Sequence, residues 1–430
     1  MAMKKTVAAA LLLALVPAAA NSKTAEQLTQ DVERLESELS ELRALLKAPE
    51  RKLQTAITKE ILDAAIEAKA ADLGGAMDSI WLLLCGSLVM FMHAGFAMLE
   101  TGCCRAKNAS NVLMKNLVNV CAGTISWYLF GWGLAYGGPY DDDGKLENGF
   151  IGGAEFAANG FMSNDDVTGN VVALEEPGQS KMLGWFFQWA FCTAAATIVS
   201  GGVAERVKSH TYAAFAVVMA AFIYPVVVAW TWGYGWVSSA AGVGFMDFAG
   251  SGVVHLTGGV AALAGTVVLG PRKGRWENPE EFEAHSVPLV VLGTLCLWFG
   301  WYGFNCGSTL GMSSASTGAM AAHVAMNTTL SAATGGITAF IAFFIITKCY
   351  DVGAMCNGIL AGLVSITAGC GNMDCGSAIF TGFIGALIFT GSSMLQKKLK
   401  IDDPVDASSV HGAAGIWGVL ACGLFDWGKG

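Results

Sequence analysis

Val254-His255-Leu256-Thr257-Gly258-Gly259 and Val410-His411-Gly412-Ala413-Ala414-Gly415 each place a histidine in glycine-rich surroundings inside a long apolar stretch. Each has an aspartate upstream, Asp247 before the first and Asp406 before the second. An ionisable ring at membrane depth is costly, so by default it faces a bundle interior or a pathway. Two such rings in repeated contexts point to an internally duplicated transporter whose site lies between the halves. The competing reading, for either histidine alone, is a ring satisfied by neighbouring backbone carbonyls. The repetition counts against it.

Composition fixes the broad class. Apolar residues make up 54% of the 430, charged residues 14%, glycine numbers 54, and the mean hydropathy is +0.51. These values describe an all-α polytopic membrane protein. The net charge of −9 comes from acidic extramembrane segments, and no basic patch suited to nucleic acid is present. The twelve cysteines are scattered through apolar stretches, where they act as small packing residues. None has metal-site spacing, no cofactor is implied, and Cys103-Cys104 are too close for an ordinary structural bridge. Cys370 and Cys375 bracket a short expected loop and would either pair or remain free thiols.

Lys4-Lys5, the apolar run from Thr6 to Leu15 and Ala18-Ala19-Ala20 read as a secretory signal peptide over 1–20, placing the N-terminus outside the cytoplasm. The run is shorter than the roughly 20 residues of a spanning helix. A helical arm over 24–70 follows. There Leu28, Val32, Leu35, Leu39, Leu42 and Leu46 alternate spacings of four and three, the seam of a short coiled coil. An amphipathic helix resting on its own membrane domain is the competing reading.

From residue 78 to 428 the chain reads as one membrane domain. Apolar windows of spanning length fall near 79–100, 114–137, 182–204, 212–235, 247–270, 286–305, 324–347, 354–372, 375–396 and 405–425. Alternate connections carry Arg105, Lys107, Lys115, Arg206, Lys208, Arg272, Lys273, Arg275, Lys348, Lys397, Lys398 and Lys400, against Lys145, Lys181 and Lys429 on the other side. Excess positive charge marks the cytoplasmic face, so the first span enters from outside and the long 138–181 connection is external. That connection holds Asp141-Asp142-Asp143, Asp165-Asp166 and Glu175-Glu176. A solvated loop is favoured over a cation-concentrating vestibule.

With this orientation the fifth span starts outside at Asp247, so His255 lies about 12 Å deep at 1.5 Å per residue. The tenth starts inside, and His411 approaches from the opposite face. Spans one to five and six to ten are then inverted five-helix repeats whose rings meet near the midplane. Aromatic clusters mark the outer mouths of spans three, four and six, at 187–191, 230–233 and 301–304. Each alone is explained by an interfacial belt. Together, near an outer aspartate, they would attract a small cation through ring faces.

The segments Asp247-Phe248-Ala249-Gly250-Ser251-Gly252-Val253-Val254-His255, Phe304-Asn305-Cys306-Gly307-Ser308, Arg105-Ala106-Lys107-Asn108, Ala204-Glu205-Arg206 and Val410-His411-Gly412 carry a resemblance. Together they resemble the ammonium transporter family (Amt/Mep/Rh), and its Amt/Mep branch most. The resemblance implies that Trp232 and Ser308 recruit ammonium, with Phe191 and Phe304 as the stacked pair closing a pore beneath and Phe187 beside them. It implies that Asp247 supports the recruitment site and that His255 and His411 share a hydrogen bond and relay the proton stripped from ammonium. It further implies ammonium or methylammonium as substrate, no enzymatic activity, a homotrimer, and multi-pass residence in the lipid of a plasma or inner membrane. The family's eleventh span and cytoplasmic tail, which commonly docks a PII-type regulator, have no counterpart in these residues, so regulation by PII is not expected. An ammonium sensor with the same membrane domain is the alternative to a transporter.

Overall fold

A computed structural model describes residues 25–45, 59–164, 171–173, 180–240 and 244–426. The expected signal peptide, Leu46, and Asp165, Asp166, Glu175 and Glu176 lie outside the described residues. Two compact units divide after Asp72. In the first, α1 (Ala25–Leu45) is an amphipathic helix with Val32, Leu35 and Leu39 about half exposed.

In the unit beginning at Leu73, long apolar helices dominate. They are α2 (Lys59–Cys103, beginning before the boundary), α3 (Ala106–Tyr136), α4 (Lys181–Gly202), α5 (Ser209–Trp230), α6 (Ser251–Leu269), α7 (Val287–Gly307), α8 (Ala315–Thr347), α9 (Val352–Ile366), α10 (Cys375–Lys398) and α11 (Ser408–Phe425). Among the described residues nine of these are long and apolar enough to cross a membrane, and α9 is shorter. The chain is an all-α polytopic membrane protein. Its only described strands are a small antiparallel pair, β1 (Met162–Asn164) with β2 (Val171–Ala173).

Two of the expected spans are broken. The window 354–372 is helical only to Ile366, and the window 247–270 becomes helical only at Ser251. The two breaks satisfy each other. The amides of Phe248 and Ala249 donate to the carbonyls of Ala368 and Thr367, at 2.9 and 3.1 Å. Ser251 Oγ donates to the Val364 carbonyl and accepts from the Ala368 amide. Irregular backbone is tolerated at membrane depth only where protein partners replace the lost helical bonds. Helical rise therefore counts from Ser251, which places His255 about 6 Å into α6 rather than 12 Å.

Two further expectations change, at Lys115 and Trp301, and the open choice at Cys370 and Cys375 is decided. Lys115 is no connection residue: it sits within α3 with no exposed surface. Cys370 and Cys375 are both free thiols, as are the other ten cysteines. Trp301 does not belong to a mouth, because its ring is fully buried against His255.

Candidate functional site

The site begins with a capping problem. The first turn of a helix leaves backbone N–H groups unpaired, and a buried start must supply acceptors. Asp247 supplies all of them for α6: Oδ1 accepts from Gly250 and Ser251, Oδ2 from Gly252 and Val253, at 2.8 to 2.9 Å. The loop can turn back on itself because Gly250 has φ +109°, a conformation a side chain would strain. With its carboxylate occupied, Asp247 offers only its backbone carbonyl outward, and Trp232 Nε1 donates to that carbonyl at 2.8 Å. Asp247 thus fixes the indole from behind and does not itself line the cavity in front.

The two histidines sit in matching local structure. Ser251–Leu256 and Ser408–Ala413 are both π-helical turns at the starts of their helices. A π turn rotates its side chains out of α register and is frequent at functional sites. The Nδ1 atoms of His255 and His411 are 3.2 Å apart and the rings stack with centroids 5.2 Å apart. One ring must donate and the other accept, since neither nitrogen can do both. Both rings are almost fully buried, and His255 Nε2 makes no hydrogen bond among the described residues. The approach depends on glycine: a Cβ on Gly259 would lie 2.1 Å from the backbone nitrogen of Gly412. That close contact between α6 and α11 is what brings the rings together.

A column of rings leads to this pair. Phe191 and Phe304 stack at 4.0 Å between centroids, with Phe187 4.8 Å from Phe191. Beneath them Phe304 and Trp301 both stack on His255, at 5.2 and 4.9 Å. On the other side Trp232 meets Phe191 edge-on at 6.1 Å. A cavity of about 860 Å³ opens there, lined by Phe187, Phe191, Trp232, Phe248 and Ser308 among others. Ser308 Oγ donates to the Phe304 carbonyl at 2.9 Å, which leaves its lone pairs as acceptors for an incoming N–H.

The structure brings the sequence-derived site residues together: Trp232, Ser308, Phe187 and Phe191 line the cavity, Asp247 stands behind it, and Phe304, His255 and His411 follow in the column of rings. Sequence reasoning missed Trp301 as part of the column. Its position three residues before Phe304, on the same face of α7, was the available signal.

At the opposite end of the helices an ionic cluster ties the connections together. Arg272 forks onto Asp402, Nε and Nη2 each donating at 2.8 Å, and its Nη1 donates to Glu205 at 2.8 Å. Glu205 also accepts from the Arg105 amide and guanidinium. Burial alone would raise the Glu205 carboxyl, but the Arg105 amide and the Arg272 guanidinium outweigh it and hold it down at about 2. A folded-state value below the usual 4.5 stabilises the fold above pH 4.5, and this contribution is lost as pH falls towards 2. Glu205→Ala, which leaves two guanidinium groups short of a partner, is expected to cost about 3–5 kcal/mol. Thermal unfolding of the solubilised protein at neutral pH checks this. Glu205→Gln should flatten the acid loss, and an acid profile identical to the parent's would remove Glu205 as its source.

Among the described residues no group of three or more His, Cys, Asp or Glu side chains is placed to hold a metal ion.

The model of the Ammonium Transporter Family matches residues 80–429. Ammonium transporter Amt2 of Archaeoglobus fulgidus is 41% identical over 359 residues, covering 81% of this chain and 71% of that protein. Ammonium transporter 1 member 3 of Solanum lycopersicum is 39% identical over 381 residues, covering 85% and 77%. Among solved structures, one titled Sensor Amt Protein superposes with a TM-score of 0.73 at 34% identity, covering 83% of this chain and 84% of that one.

Proposed function

The chain belongs to the ammonium transporter family, and from that premise we propose that it recruits ammonium at Trp232 and Ser308, deprotonates it, and passes ammonia and the proton separately across the membrane. The observation that carries this reading is the His255–His411 pair, 3.2 Å apart at Nδ1, directly beneath the Phe191–Phe304 stack. Dehydrating a full charge inside apolar walls is very costly, whereas neutral ammonia crosses cheaply. Splitting the ion needs a base below the gate and a route for the proton, and two hydrogen-bonded imidazoles supply both. Cation–π attraction at Trp232 and an acceptor at Ser308 favour the protonated form in the open cavity. Phe191, Phe304 and Phe187 close the path to water, so ammonium cannot carry its shell inwards.

The ion therefore enters from the Trp232 side, which the distribution of Lys and Arg assigns to the exterior of the cell membrane, together with the N-terminus and the 138–181 connection. Potassium has no proton to surrender and is excluded by the same cost. An ammonium sensor is the second reading, favoured by the similarity to the structure titled Sensor Amt Protein. Radiolabelled methylammonium uptake by the reconstituted protein separates the two. Saturable uptake above empty liposomes is expected, and binding without uptake would assign the chain to sensing.

The assembly proposed is a homotrimer embedded in lipid. Val32, Leu35 and Leu39 form an exposed apolar strip on α1 among the described residues, which fits a seam between three arms. Leu35→Asp with Leu39→Asp places like charges in that seam and should weaken detergent-resistant trimers while transport survives. Cysteines at Leu35 or Leu39 should cross-link subunits on oxidation. Cross-linking absent from a protein that is trimeric by mass would instead lay the helix on its own subunit or on the bilayer.

A further inference from the structure

Below the histidine pair lies a buried charged cluster that the mechanism above leaves idle. Glu100 on α2 and Lys115 on α3 are 1% and 0% exposed. Lys115 Nζ donates to the Ser200 carbonyl at 2.9 Å and to Ser200 Oγ at 3.1 Å, and the Ser200 hydroxyl donates onward to Glu100 Oε2 at 2.7 Å. The ammonium stands 3.9 Å from Oε2. Glu100 Oε1, by contrast, makes no hydrogen bond among the described residues. A carboxylate buried with one oxygen unpaired is costly as a purely structural group.

Its surroundings suggest what that oxygen serves. Glu100 and His411 line one small cavity of about 10 Å³, at the limit of what a single water needs. Asn357 and Val405 line this cavity and also a second one of about 660 Å³ at the end away from Trp232. That second cavity is bordered by Asp351, Asp406 and Lys397. His411 and Glu100 thus share one cavity, and Asn357 and Val405 border both it and the charged one.

We propose that Glu100 accepts the proton leaving the histidine pair and hands it to the cavity at Asp406, which makes it the inner station of the proton path. The inference rests on the transport reading above. In the first step an N–H bond of His411 breaks and an O–H bond forms on Glu100 Oε1, directly or across one water that gives up a proton as it takes one. No electrons change hands. The carboxylate becomes a neutral acid while Lys115 keeps its charge, and release of the proton into the second cavity restores the starting state. Ser200 and Lys115 hold Oε2, which leaves Oε1 as the oxygen that takes the proton.

The test uses the full chain in proteoliposomes and reads ammonium-evoked current on a supported membrane. Glu100→Gln should lower the maximal current by roughly tenfold or more while the half-saturating ammonium concentration stays put, because the Trp232 site is untouched. Glu100→Asp should recover part of the current. The double variant Glu100→Gln with Lys115→Met removes both charges, keeping the cluster as neutral as the parent pair, and it should fold yet remain as poorly conducting as Glu100→Gln. A double variant that regains parental current would show that the pair serves only charge balance and would overturn the proposal. Parental current in Glu100→Gln would overturn it too, leaving the transport reading intact. A parent protein that carries no current at all would overturn both.

Discussion

Alanine at His255 or at His411 is expected to lower proton-coupled methylammonium transport by at least roughly a hundredfold, the scale of losing a positioned proton-transfer group. The two rings form one hydrogen-bonded unit at 3.2 Å, so either loss breaks the same path and the two variants should be similarly inactive. Combining them should add little, as with residues that act together. Alanine also removes ring contacts, because His255 stacks on Trp301 and Phe304 and His411 lies 6.0 Å from Phe96. Assembly must therefore be verified by size and by thermal transition. Parental methylammonium currents in either correctly assembled variant would remove the histidines from the proton path.

Trp232→Leu should act on affinity rather than on maximal rate. Leucine keeps an apolar side chain in the 860 Å³ cavity but loses the ring quadrupole and the hydrogen bond to the Asp247 carbonyl. Cation–π attraction runs from about 0.5 to 2 kcal/mol depending on desolvation. About 1.4 kcal/mol corresponds to tenfold, so half-saturation should rise several-fold to roughly thirtyfold. An unchanged concentration dependence would assign Trp232 to the interfacial belt alone.

The helical membrane class was legible because length and apolarity of a span are local properties of the chain. The paired histidines were legible for a related reason: repetition of His255 and His411 in glycine-rich settings is visible without coordinates. What escaped were features set by distant partners. The end of α9 at Ile366 and the late start of α6 at Ser251 depend on backbone bonds between the two breaks, and no window over either segment contains the other. The π turns beneath both histidines have no apolar periodicity of their own. Lys115 was misplaced by counting charges alone. Its neighbours carried a usable signal, because Val112, Lys115, Asn116, Asn119, Gly123 and Ser126 are buried on one face of α3 at three- and four-residue spacing. A polar stripe of that period on a membrane helix faces protein, and here it faces Ser200 and Glu100.

The central claim is that ammonium is split, with ammonia and the proton crossing separately between Phe191 and Asp406. Parallel recording of current and radiolabelled methylammonium flux in the same proteoliposomes, with potassium as the comparison cation, tests it most directly. The account predicts about one charge for each methylammonium carried, since the proton follows the neutral amine, and no potassium current at any concentration that supports ammonium current. Potassium carried as readily as ammonium, or methylammonium flux without charge, would contradict it.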